Sequence, residues 1–383
     1  MIIRDAIHGS IECTELEEKV IDTPEFQRLR FVRQLSTAHL VYPSASHSRF
    51  EHSLGTMHLT SRLARKLGLE EKEVSLLRLA GLLHDLGHPA FSHLGEEVLR
   101  ARGRPSHEER GRQVIESGSI GKLIEEAGFS LADLRKLMEG KGAGSLITAS
   151  LGTDRLDYLL RDAHHSGAAY SFVDRDRILE TVVLQDGKVR VLEKGIVAAE
   201  SLLVSRHFMF TAVYRHPVGL IASAMLRKGL HQALEKGLLK DEELEKGTDL
   251  EVLASLRESG VELAKRILER RLFKKALVLP VYSAPPKVLD FFHLADAEEQ
   301  LSSHLVSKGI PNESFVICRP KFSKSVCEVE VFMKDGRVEC LENISPLLRS
   351  LSEDAAPKAL IVATDEKLVP TAAKAAKEFL EKL

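Results

Sequence analysis

The stretch His84-Asp85-Leu86-Gly87-His88-Pro89-Ala90-Phe91-Ser92-His93 decides how the rest of the chain is read. It follows an apolar run from Val74 to Leu83 in which only Arg78 is charged, the pattern of a buried helix. Asp85 falls at the buried end of that helix. An ionised carboxylate there costs several kcal/mol unless something pairs with it. A metal ion is a suitable partner, and His84 beside it is a ready second ligand. His88 and His93 add two imidazoles within one short loop broken by glycine and proline. These residue types point to metal-assisted hydrolysis.

A chain of 383 residues is expected to form one large or two ordinary domains. The apolar fraction of 44% suffices for a sizeable core. Trp is absent and aromatics are few, which argues against a carbohydrate or single-stranded nucleic-acid platform built on stacking. A formal charge of -2 demands neither a nucleic-acid nor a membrane partner. Cys13, Cys318, Cys327 and Cys340 form no CxxC pair, so neither a zinc knuckle nor a disulfide framework is expected. The start, Met1-Ile2-Ile3-Arg4-Asp5, does not read as a signal peptide, and no apolar run reads as long enough to span a bilayer. The expectation is a cytoplasmic protein.

Residues 1–15 read as an edge strand or extended arm. Thr23-Pro24-Glu25 starts a helix, with Thr23 as N-cap and Arg28, Arg30 and Arg33 along it. Ser48-Arg49-Phe50-Glu51 is a capping box opening a helix to about Leu67, with His52 in its first turn. Ser106 caps a further helix and places His107 at its N-terminus, where the dipole disfavours a charged imidazole. Residues 150–165 read as one helix on which Asp154, Tyr158 and Asp162, four apart, share a face. Residues 182–191 form a hairpin turning at Asp186-Gly187. A helix from Ile196 to His216, stopped by Pro217, carries Arg206, Phe210 and Tyr214 on one face; others run through 218–236 and 249–273. The prolines at 280, 285 and 286 suggest a boundary, dividing a core of residues 1–276 from an α+β lobe of residues 277–383. That lobe reads as a helix at 295–307, strands near Phe315–Cys318, Val326–Met333, Val338–Leu341 and Ala359–Ala363, and a last helix. The fold class expected is mostly α, with a small β-hairpin and a smaller α+β C-terminal lobe.

His52, His84, Asp85 and Asp154 stand out as a candidate metal set. Two imidazoles and two carboxylates suit Mn, Fe, Co, Ni, Zn or Mg. Such an ion would acidify water and polarise a phosphoryl group.

The run His84-Asp85-Leu86-Gly87-His88 resembles the signature of the HD-domain phosphohydrolases. Five further blocks accompany it: Arg49-Phe50-Glu51-His52-Ser53-Leu54-Gly55, Asp154-Arg155-Leu156-Asp157-Tyr158, Asp5-Ala6-Ile7-His8-Gly9, Ile21-Asp22-Thr23-Pro24-Glu25-Phe26-Gln27-Arg28-Leu29-Arg30 and Tyr214-Arg215-His216. Together they resemble the dNTP triphosphohydrolase (dGTPase-like) family, whose animal members also carry a sterile-alpha-motif domain. The resemblance covers roughly residues 1–225. It implies an all-helical HD core and cleavage of a dNTP to a deoxynucleoside and inorganic triphosphate. It places the metal ligands on His52, His84, Asp85 and Asp154, and catalytic roles on His88, His93 and His107. Glu96 stands where the family partners its acid histidine with Asp. Triphosphate contacts fall on Arg49, Arg155 and Arg206. Tyr158 and Asp162 fall at the sugar, Gln34 near the ribose and Tyr214 near the sugar or base. Asp22, Gln27 and Arg30 match a nucleotide effector site, although Met1 stands where that site has Lys. A homo-oligomer, dimer or tetramer, is implied as well.

The chemistry expected is attack of water on the α-phosphorus, with His107 protonating the departing 5′-oxygen and His88 and His93 stabilising phosphate charge. Two other readings stay open: the same metal site acting on another nucleotide, phosphomonoester or phosphodiester, and a nucleotide- or nucleic-acid-binding regulator with vestigial activity.

Overall fold

Capping residues set the helices in the computed structural model, which describes residues 1–170, 172–319, 329–353 and 359–383. Two units emerge that interleave along the chain. The first comprises Met1–Met209, Lys240–Val252 and Val326–Glu353; the second comprises Phe210–Leu239, Leu253–Ser325 and Asp354–Leu383.

In the first unit the arm at the start is an antiparallel hairpin, Ile2–Asp5 with Gly9–Glu12. Helix α1 (Glu15–Ile21) follows, capped by Thr14 and Glu17. Thr23 and Pro24 start a helix as expected, but only Pro24–Gln27 is α-helical, and Arg28–Phe31 tightens into a 3-10 turn. Helix α2 (Arg49–Lys66) begins at the Ser48 box, where the Glu51 carboxylate accepts from both the backbone N–H and the hydroxyl of Ser48. Helix α3 (Glu71–Leu83) is the apolar run and ends at His84. After the loop come α4 (His93–Ala101) and α5 (His107–Ser117), the latter with a Ser106–Glu109 box. The helix read over 150–165 is α6 (Thr153–Ser166), closed by Gly167 in the left-handed conformation. The hairpin Val182–Gln185 with Lys188–Leu192 turns through Asp186 and Gly187, both at positive φ as a type I′ turn requires.

Helices α3 and α6 both pack on α2. Leu54, Met57, Leu77, Leu82, Leu83, Leu156 and Leu159 are among the side chains buried there. The approach of α6 to α2 is possible because position 55 is glycine: a Cβ there would overlap the Asp157 carboxylate and the Arg161 guanidinium.

The helix expected over 196–216 is α7 (Ile196–Met209), and it ends in a π-helical turn, Phe210–Tyr214. Glu193–Tyr214 is long and apolar enough to cross a membrane by length and composition alone, with 33% of its window buried. The sequence reading had found no such run.

In the second unit, α8 (Pro217–Glu235) is followed by two helices over 249–273 rather than one; Asp249–Glu258, whose first turn belongs to the first unit, is separated from α9 (Glu262–Leu268) by Gly260 at φ 76°. Helices α10 (Pro286–His293), α11 (Ala297–Ser307) and α12 (Val369–Leu380) cover an antiparallel sheet with Ala359–Thr364 between Lys274–Pro280 and Phe315–Cys318. Phe291, Phe292, Leu301, Leu305, Phe315, Val362 and Ala372 make its core.

The boundary read at residue 277 therefore falls inside a strand. Its prolines mark the strand end at Pro280 and the start of α10. A C-terminal piece also returns to the first unit: Glu330–Phe332 pairs in parallel with Lys188–Leu192 and antiparallel with Val338–Cys340. Val326–Glu328 of the expected strand, and Cys327 with them, lie outside the described residues. Cys13 and Cys318 are free thiols, whereas Cys340 is disulfide-bonded, which the spacing of the cysteines does not announce. The fold class holds: a helical core with a small hairpin and an α+β lobe.

Candidate metal centre and histidine cluster

Three helices deliver the expected metal set to one place in the first unit. His52 comes from the first turn of α2, His84 caps α3, Asp85 follows it, and Asp154 sits in the first turn of α6. His52 Nε2 lies 3.2 Å from His84 Nε2, 3.1 Å from Asp154 Oδ1 and 3.6 Å from Asp85 Oδ2. His84 Nε2 lies 3.4 Å from Asp85 Oδ1 and 3.8 Å from Asp154 Oδ1. Ligands bound to one cation at about 2.0–2.2 Å stand some 3–4 Å from each other, so these spacings fit a shared ion. His52, His84 and Asp85 each offer a donor within 4.8 Å of the others.

The outer nitrogens of both imidazoles are tied down. His84 Nδ1 donates to Gly81 O at 2.8 Å. His52 Nδ1 donates to Asp157 Oδ2 at 2.7 Å. The other Asp157 oxygen meets His8 Nε2 at 2.6 Å, and Arg161 bonds both oxygens while also reaching Asp5 at 2.7 Å. Burial would raise the Asp157 carboxyl, but Arg161, His52 and His8 hold it well below the usual carboxylate range. It is therefore an acceptor, which leaves His52 Nε2 turned toward the centre. Burial works against charge on His52, yet its bonds to Asp154 and Asp157 push it up to about 10. Asp85 is likewise raised by burial and, on balance, held far down by Arg49, His84 and His88.

The quoted loop forms a second cluster beside the first. His88 Nε2 is 3.4 Å from Asp85 Oδ1. The rings of His88 and His107 stack at 3.9 Å, and His93 stands edge-on to both at 4.8 and 5.7 Å. Glu96 accepts from the backbone N–H of His107 at 2.8 Å, from its Nδ1 at 2.9 Å and from His93 Nδ1 at 3.4 Å. Burial opposes charge on Glu96, but these bonds hold its carboxyl far below its ordinary value. His88 is fully buried, and burial followed by the nearby Arg49 keeps its imidazole neutral. Gly87 lets α5 come this close: a Cβ there would overlap His107 O and Gly111 N.

The loop itself is bent against its preference. Phe91 and Ser92 adopt φ of 62° and 56°, each costing about 1–3 kcal/mol for a residue other than glycine. Asp249 offsets this by accepting from Phe91 N at 2.7 Å and Arg33 N at 3.1 Å. Arg28 donates to His88 O at 2.5 Å and Arg110 to Gly87 O at 3.0 Å.

The expected substrate contacts divide. Arg49 is 2% exposed and turned inward, pairing with Asp85 at 2.5 Å and bonding Ser92 at 2.7 Å. Tyr158 is raised by burial, and the charges of Arg155, Asp154, Arg206 and Asp162 also act on it. Asp162 is paired with His47 Nε2 at 2.7 Å. Gln34 N–H donates to His47 O at 3.0 Å, and its Oε1 is buried with no hydrogen-bond partner among the described residues. Tyr214 belongs to the second unit, where its ring meets Phe210 edge-on at 5.1 Å. Of the effector-site matches, Arg30 bonds Gln27 at 2.7 Å and lies 3.6 Å over the Phe50 ring, while Gln27 caps Ile21 O.

His8, Asp157, Arg161 and Asp249 were missed as site residues. Two signals were present, since His8 and Asp157 sit inside motif blocks. Asp249 carried none, because its partners lie more than 150 positions away.

Comparison with known proteins identifies the family. The HD domain model matches residues 49–156, and the HD associated region matches residues 173–381. The chain belongs to the HD-domain phosphohydrolase superfamily, with an HD domain followed by its associated region. It is 37% identical over 358 residues to an uncharacterized protein of Methanocaldococcus jannaschii, covering 91% of this chain and 76% of that one. It is 31% identical over 271 residues to the deoxynucleoside triphosphate triphosphohydrolase SAMHD1 of Homo sapiens, covering 59% of this chain and 43% of that protein. The chain thus spans less than half the length of that relative. A hypothetical protein from Aquifex aeolicus superposes with a TM-score of 0.82 at 33% identity, over 98% of this chain and 99% of its own. A phosphohydrolase from Bacteroides thetaiotaomicron shares the fold, with a TM-score of 0.77 at 22% identity, over 96% and 100%.

Proposed function

We propose that the chain hydrolyses a deoxynucleoside triphosphate to the deoxynucleoside and inorganic triphosphate, with a divalent cation held by His52, His84, Asp85 and Asp154. The observation that carries this reading is the adjacency of the two clusters: His88 lies 3.4 Å from Asp85, so ligand set and histidine cluster flank one spot. When bound, the cation supplies an acidified water and a Lewis acid for the phosphoryl oxygens.

The chain's own groups do the rest. Glu96 fixes His107 through Nδ1, so that its other ring nitrogen serves the departing 5′-oxygen. The neutral, buried His88 and the exposed His93 donate to phosphate oxygens as charge builds. Arg155 and Arg206 neutralise the triphosphate, and Arg49 supports them while holding Asp85 in place. Tyr158 and Asp162, along α6 from Asp154, border the sugar and crowd a 2′-hydroxyl. Gln34 and Tyr214 take the ribose and base roles on the resemblance alone, as does a nucleotide effector at Asp22, Gln27 and Arg30. The reading is of a cytoplasmic enzyme that self-associates; Val197 (76% exposed) and Phe208 (38%) on α7 offer an apolar outward face for a second copy.

Purified protein given each dNTP, each NTP and a generic phosphodiester, with several divalent metals, tests the reading. Release of triphosphate from dNTPs alone is expected. Release of monophosphate from the diester would move the site to another substrate class.

A further inference from the structure

The second histidine cluster carries more donors than acid–base work requires. We propose that His88, His93, Glu96 and His107 form a second cation site, one that takes a borderline transition metal such as Zn²⁺ and silences the reaction when filled. Its effect on rate rests on the phosphohydrolase reading; its binding does not.

Each of the four side chains offers one ligand atom, and these atoms lie within 4.8 Å of one another. Three imidazoles and a carboxylate are a donor set of borderline softness, suited to Zn²⁺, Co²⁺ or Ni²⁺ rather than Mg²⁺. Independent support comes from His88. Its ring is fully buried, Nε2 has only the Asp85 carboxylate at 3.4 Å, and Nδ1 has no hydrogen-bond partner among the described residues. A buried ring nitrogen left without a partner is unfavourable, and a cation at the cluster would satisfy it.

The scaffold suits ligation. His93 and Glu96 are one turn apart on α4, and His107 opens α5. Gly87 holds the His88 loop against the backbone of α5. The His93 side chain is 72% exposed, which provides the route in. The His107 and Glu96 side chains are 16% and 11% exposed, so a captured ion would be largely shielded from water.

Occupation has a definite consequence. A ring nitrogen of His107 committed to a cation cannot carry a proton to the leaving oxygen, and the protons displaced from the imidazoles go to solvent. Metal dependence should therefore be biphasic: the ion bound by His52, His84, Asp85 and Asp154 activates, and the next inhibits.

The test is metal stoichiometry on the full chain, stripped by chelator and dialysed to equilibrium against Zn²⁺ at neutral pH, with zinc counted per chain by mass spectrometry. Wild type is expected to bind two ions. His93→Ala, at an exposed position that does not threaten folding, and Glu96→Gln should each weaken the second by roughly a hundredfold and keep the first. Asp154→Ala should show the converse. Hydrolysis followed across the wild-type titration should rise with the first equivalent and fall with the second. One ion in wild type, or two undiminished in both His93→Ala and Glu96→Gln, overturns the site; a second ion without loss of rate overturns the silencing. Two ions bound with no dNTP turned over at any occupancy upholds the site and removes the substrate reading instead.

Discussion

Asp157 accepts the Nδ1 proton of His52 at 2.7 Å, and this one bond decides which nitrogen of His52 faces the metal set. The carboxylate is 0% exposed and is itself held by Arg161 and His8. Asp157→Asn should therefore act twice. Metal affinity is expected to fall 10–100-fold, read by chelator competition. The thermal midpoint should drop as well, because Arg161 loses one of its two buried carboxylates and keeps only Asp5. Unchanged metal affinity would show that Asp157 only packs.

Asp154 is the proposed ligand at the edge of the set, its side chain 37% exposed. Asp154→Ala should abolish both metal bound at the first site and hydrolysis while leaving the helical circular dichroism in place. Full activity in that variant would remove Asp154 from the ligand set.

Gly87 makes no hydrogen bond through a side chain, yet the site depends on its small size. A methyl group at this position meets His107 O and Gly111 N, so Gly87→Ala should cost about 1–3 kcal/mol by overpacking. It should also displace His107, so that kcat falls by more than the loss of folded protein explains. A variant with wild-type melting and kcat would contradict the close packing described.

Arg155 and Arg206 both act on the Tyr158 hydroxyl. If they meet a triphosphate, Arg155→Ala and Arg206→Ala should raise KM about tenfold or more with a smaller change in kcat, and the wild-type KM should rise with salt. Equal loss in kcat and kcat/KM would assign them to the transition state instead.

His58 gives a stability prediction away from the ligands. Burial, then the neighbouring His8, Arg62, Arg78 and Arg175, lower its imidazole to about 4. Between about 6.5, where the unfolded chain takes up this proton, and about 4, the unfolded state binds more protons than the folded one. Stability is thus fully present above about 6.5 and is lost as pH falls toward 4. His58→Leu should lose less stability over the same window, measured by thermal melts at matched pH values.

Much of this was legible because the informative residues are close in sequence. His84, Asp85 and His88 announce themselves by spacing, and Ser48 with Glu51 fixes where α2 begins and thus the turn that carries His52. Asp154 needed only a helix that starts on time. The unread parts depend on partners far apart in the chain. Asp249 and Arg28 look like ordinary charged residues until the loop they grip is in place. The strand Lys274–Pro280 is cut by the expected boundary because Pro280, Pro285 and Pro286 outweigh its short apolar run Ala276–Leu279, and its pairing partner is Ala359–Thr364, far downstream. The return of Glu330–Phe332 to the first unit has no local signal at all.

The strut from Asp249 to Phe91 also dictates when competence arrives during synthesis. A nascent chain that has emerged only as far as α7 already owns every proposed ligand of both cation sites, and Arg28 and Arg49 to hold His88 and Ser92, yet the carboxylate that takes the Phe91 N–H is not made. The ribosome must add the segment Lys240–Val252 before that bend is braced. The left-handed turn at Phe91 and Ser92 is in this way among the last parts of the first unit to be secured.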